Sequence, residues 1–119
     1  MTRRRRHLDE RASAAVLGTV VIGLLVTLTL VGGTIAALLV GQRRAASGAD
    51  LAALAGASAL QQGRSGCAEA STLAEANRVR VVRCAVSGDV VTVDVSTEVA
   101  SALGSAWTLR ARARAGPVE

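Results

Sequence analysis

The chain has 119 residues, a formal net charge of +5, one tryptophan, no tyrosine or phenylalanine, and two cysteines. It has arginine but no lysine, and the arginines are spread from residue 3 to residue 114, so the charge does not form one patch. A chain this short that commits its first half to a helix has room for one small further module, and two cysteines with a single histidine are too few ligands for a structural metal site.

Residues 12–42 contain no charged side chain, and this run is entered from Arg3, Arg4, Arg5 and Arg6 and left through Arg43 and Arg44. A helix needs roughly 20 apolar residues to cross a bilayer, so the run is long enough to span. Arginines near the ends of a span are retained in the cytoplasm, which predicts a cytoplasmic basic segment over residues 1–11 and an exterior C-terminal part. A cleaved secretory signal has the same general form, but the sequence after its candidate break at Gly32, Gly33 and Thr34 remains membrane-compatible. The other alternative is the buried helix of a soluble protein, which would have to cover every face within a small chain.

The helical pattern continues beyond the membrane exit, so one helix over residues 12–62 is predicted, with Leu51, Leu54 and Leu60 on or near one side. Gly33, Ala37, Gly41, Ala45, Ala49, Ala53 and Ala57 recur at every fourth position. Small residues at this spacing allow two helix backbones to approach closely, which predicts packing against other helices. The alternative is that an alanine-rich sequence generates the spacing by composition.

Residues 62–66 carry two glycines and a serine and break the helix. The remaining residues, 63–119, form the predicted exterior module: a short helix over 68–77 and a small antiparallel sheet. Residues 80–86 and 90–95 read as strands joined by Ser87, Gly88 and Asp89, with Val91, Val93 and Val95 on a buried face. A third strand over 108–115 places Leu109, Ala111 and Ala113 opposite Arg110, Arg112 and Arg114, and Gly116 and Pro117 end it. The fold class is therefore α+β. Cys67 and Cys84 both lie in the predicted exterior part, where a disulfide persists; two free thiols are the rival reading.

Catalysis has little to work with. The predicted exterior has no histidine, tyrosine or lysine, and Asp50, Glu69, Glu75, Asp89, Asp94 and Glu98 are scattered without a converging pair. No phosphate-binding glycine loop or metal-ligand cluster is present in the sequence, no cofactor or small-molecule substrate is implied, and a non-enzymatic protein is expected.

The segment from Gln42 through Arg43, Arg44, Ala49, Asp50, Leu51, Ala52, Ala53 and Leu54 to Ala57 resembles the post-membrane helix of the tight-adherence (Tad/Flp) pilus-assembly proteins, the TadE/TadG-like pseudopilins. Asp9, Glu10, Arg11 and the small residues after them look like the start of the same family. The resemblance implies a pilin-like, single-pass protein of the plasma (inner) membrane that acts structurally in assembling a pilus or secretion apparatus, with other pilin-like or platform subunits as partners. Ala12 and Leu17 stand where prepilin-type processing requires Gly and Glu, so that processing is not implied. Asp50, on an otherwise apolar helix, is a candidate for a register-setting pair with a partner's arginine, against the plainer reading of a solvated carboxylate. The competing functional class is an exterior binding module. In it Trp107, Arg110, Arg112 and Arg114 share a strand face that holds nucleic acid or an anionic envelope polymer.

Overall fold

The computed structural model describes the backbone of residues 2–118 and the side chains of residues 10–118. Arg3 to Arg6 and His7, on which the cytoplasmic orientation rests, lie outside the described side chains. Five elements follow in chain order: α1 (Thr2–Gln61), α2 (Gly66–Ala76), β1 (Arg80–Ser87), β2 (Val90–Ala100) and β3 (Ala106–Ala115). The strands form one antiparallel sheet in the order β1, β2, β3, so the class is α+β as the sequence predicts.

Two compact units divide the chain, residues 1–35 and 36–119. The C-terminal part of α1 packs with the module and belongs to the second unit. Over residues 12–35 α1 is apolar on all sides, and Val16, Leu17, Ile22, Leu24, Leu25, Leu28 and Val31 are all exposed. Its threonines are satisfied by the helix itself: the hydroxyls of Thr19, Thr27, Thr29 and Thr34 donate to the carbonyls of Val16, Gly23, Leu25 and Leu30 at 2.7–2.9 Å. A hydroxyl bonded to its own helix can leave water without losing a partner, which suits a helix in lipid.

The second unit has a core of small side chains. Val91, Val93 and Val95 are its largest fully buried residues, and Ala45, Ala49, Ala52, Ala53 and Ala59 bury the facing side of α1. Glycine brings the backbones closest. A Cβ built on Gly48 would come within 2.6 Å of Val79, and one on Gly56 within 2.9 Å of the Gly66 carbonyl oxygen. Leu51 and Leu54 point the other way and are exposed, whereas Leu60, expected on the same side, packs against the core. Close backbone approach thus replaces bulk as the means of filling space.

Gly63, at φ 71°, ends α1, and the amide of Arg64 reaches back to the Ala59 carbonyl at 2.8 Å. Ser65 caps α2, its side chain accepting from the Ala68 amide. Cys67 in the first turn of α2 is disulfide-bonded to Cys84 in β1, with a Cα–Cα distance of 5.9 Å. The two-residue connection Gly88–Asp89 closes the first hairpin by pairing Ser87 with Val90, and Gly88 supplies a φ of 60°. β2 runs five residues beyond its expected end at Val95, because alternation persists through Thr97 and Val99.

Candidate functional site: the outer face of the sheet and the free side of α1

The register determines what shares a face with the predicted arginines. Directly paired residues point to the same side of an antiparallel sheet. Asp94 on β2 lies between Arg83 on β1 and Arg112 on β3, while Ser96 lies between Arg80 and Arg110, and Thr92 is opposite Arg114. The outer face therefore carries five arginines, against Asp94 and Glu98 on β2. Arg80 and Arg83 were not singled out in the sequence. The short loop at Gly88–Asp89 was a usable signal for their position, but the register shift between Val81 and Arg83 obscures a simple count from that loop.

Asp94 organises the centre of this face. Arg112 donates from Nε to Oδ1 at 2.5 Å and from Nη2 to Oδ2 at 3.0 Å, a two-pronged carboxylate contact. The hydrogen bond from Arg112 holds the Asp94 carboxyl below its ordinary value against a smaller opposing effect of burial, and the charges of Arg112, Arg83 and Arg110 act in the same lowering sense. The same contact raises Arg112. A shallow open depression beside this pair is lined by Val82, Arg83, Asp94, Arg110, Ala111 and Arg112. Its polar chemistry suits an anionic group.

Trp107 does not belong to this face. It pairs with Val99, two and four positions along β2 from Thr97 and Val95 on the inner side, so it stands on the side opposite Arg110, Arg112 and Arg114. The expectation that the tryptophan joins the arginines is corrected by the two-residue period of a strand, on which positions 107 and 110 have opposite parity.

The other sequence candidates lie on α1. Ala45, Ala49 and Ala53, with Gly41, are buried inside their own chain against the sheet and α2, so this stretch of the small-residue row has an intramolecular partner. Gly33 is exposed and Ala37 half-buried. Asp50 is exposed on the free side of α1, together with Arg43, Ala46, Ser47 and Leu54. Among the described residues no group of three or more histidine, cysteine or acidic side chains could hold a metal ion.

Among the described residues one helix is long and apolar enough to cross a membrane. Compared with protein-family models, with curated proteins and with solved structures, the chain matches none.

Proposed function

We propose that the protein is a single-pass membrane subunit of minor-pseudopilin type, acting structurally in the assembly of a pilus or related secretion apparatus. The observation that carries this reading is the division of labour along α1. Its first part exposes large apolar side chains all round, and its last part presents small residues to a disulfide-stapled sheet and Asp50 and Leu54 to the outside. A helix apolar on every face needs lipid or other helices around it. The disulfide supports an oxidising compartment for the module, and with Arg3 to Arg6 on the other side of the span it favours a cytoplasmic N-terminus in the plasma membrane.

In this reading α1 meets neighbouring subunits through the side turned away from its own sheet, where Asp50 offers a carboxylate to a partner arginine. Crosslinking in native membranes followed by purification in mild detergent tests it. Other single-span subunits should be recovered with the full chain, and Asp50→Ala should reduce their recovery. Recovery of the protein alone from crosslinked membranes contradicts the reading.

The outer sheet face supports a second reading, attachment of an anionic envelope polymer or nucleic acid. Arg80, Arg83, Arg110, Arg112 and Arg114 gather there, with Arg112 held by Asp94. Without Trp107 on that side, such binding is electrostatic and must weaken steeply with salt.

A further inference from the structure

Trp107 and the loop after β2 have no role in either reading, and their position suggests one. Residues 99–109 contain no charged side chain, although arginine or glutamate flanks them at Arg110 and Glu98. Two contacts fix how this part of the sheet runs along α1. Val91 packs at Gly56, and Val99 packs at Gly41 together with Leu109. Following β2 from Val91 to Val99 therefore means moving back along α1, from Gly56 past Arg44 and Arg43 to Gly41. At that end Val99 and Ala100 border a shallow groove with Ala36, Ala37 and Val40, which Arg44 and Glu98 also line. These helix residues are the last turns of the charge-free run, on its membrane side of the two arginines.

The loop that follows is suited to a partly dehydrated setting. Three of its backbone amides are bonded within it: the Ser101 amide donates to the Ser105 carbonyl at 2.7 Å, the Gly104 amide to the Ser101 carbonyl at 3.0 Å, and the Ser105 amide to the Ser101 hydroxyl at 3.2 Å. The Ser101 and Ser105 hydroxyls bond each other at 2.6 Å. Polar groups already paired lose little on leaving bulk water. At the same tip Leu103 is 80% exposed and Trp107 52% exposed, so much of the apolar surface there is left uncovered by the chain. Tryptophan, with an apolar body and one N–H, favours the membrane–water interface.

We propose that the β2–β3 tip, through Leu103 and Trp107, is a second membrane contact that inserts at the headgroup level and seats the sheet on the bilayer surface beside α1. The occupant is lipid, because the tip is level with the apolar end of α1, lacks charge, and is flanked by Arg43 and Arg44, which are placed to meet lipid phosphates. A sheet held at two points cannot swing freely about the helix exit, so the arginine face acquires a fixed orientation to the membrane. The inference rests on α1 being a membrane anchor.

Trp107 is the only tryptophan in a chain without tyrosine or phenylalanine, so its fluorescence reports this site alone. The full-length, oxidised protein is reconstituted into phosphatidylcholine–phosphatidylglycerol vesicles and floated on a density gradient. Emission is then compared with and without lipids brominated near the headgroup end of the acyl chain. Flotation with blue-shifted emission, quenched about twofold or more by the shallow bromines and weakly by aqueous acrylamide, is expected for an interfacial tryptophan. Leu103→Asp should float equally, keep its disulfide, and lose most of the lipid quenching. A protein that floats while Trp107 stays red-shifted and open to acrylamide overturns the tip contact and leaves the anchor standing. Emission shielded from acrylamide yet untouched by brominated lipid overturns it in favour of a second copy of the chain. Failure to float removes the anchor reading and this inference with it.

Discussion

The two parts of α1 use the same residue types to opposite ends. Gly18, Gly23, Gly32 and Gly33 have nothing within 4 Å of where a Cβ would sit, among the described residues, beyond their own helical surroundings. Gly41, Gly48 and Gly56, in the same helix, are pressed against Val99, Val79 and Gly66. In the first part the large side chains cover the outside and glycine is a gap between them. In the second the smallest residues face inward and Leu51 and Leu54 face out. Glycine and alanine in a helix therefore mark an interface only where another element is there to use the space.

Removing the staple gives the largest effect expected. Opening the Cys67–Cys84 bond, whose partners are 17 residues apart, should destabilise the sheet unit by about 3 kcal/mol in the chain-entropy account. Denaturant unfolding of the oxidised and Cys67→Ser, Cys84→Ser proteins in detergent measures this, and the helicity of residues 16–40 should not change.

Filling the glycines tests the comparison itself. Gly48→Leu drives a side chain into Val79, and overpacking of this kind costs about 1–3 kcal/mol. Gly23→Leu meets open space and should leave the unfolding midpoint of the sheet unit unmoved. Equal effects from the two substitutions would erase the distinction between the two parts.

An acid dependence is expected in the sheet. Asp94 is held below its ordinary carboxylate value by Arg112, so its contribution is present above the unfolded value and is lost as pH falls through the lower folded one. Melting of the sheet unit followed downward from neutral pH should therefore show a decline in that acidic window, and Asp94→Asn should lose the part of the decline due to this residue.

The smallest change expected is a gain. Arg78 sits at φ 58° in the turn between α2 and β1, where a Cβ is strained. Arg78→Gly should raise stability by roughly 0.5 kcal/mol, the relief of strain exceeding the added chain entropy. A comparable change in the first part of α1, whose backbone is helical throughout, should give no gain.

Much of this organisation was legible in the sequence because each signal was local. The charge-free run, the glycine break before α2, the valine alternation on β2 and the pairing of the only two cysteines each needed only a short window. The rest depended on pairings between distant segments. Ala45, Ala49 and Ala53 read as a surface for another helix because nothing in their own window shows that Val79 and Val91 come to lie beside α1. Arg80 and Arg83 join the arginine face only through the register, which shifts at Val82. Trp107 was assigned to the wrong side although its parity with Arg110 was visible from the strand period alone.

Residue-resolved hydrogen exchange of the full chain in lipid vesicles, followed through a urea titration, tests most directly whether α1 serves two environments. The account predicts that residues 41–61 open in the same transition as Val91, Val93 and Val95, while residues 16–40 stay protected by lipid throughout. Protection of residues 41–61 that outlasts the sheet, or free exchange of residues 16–40 at zero urea, would contradict it.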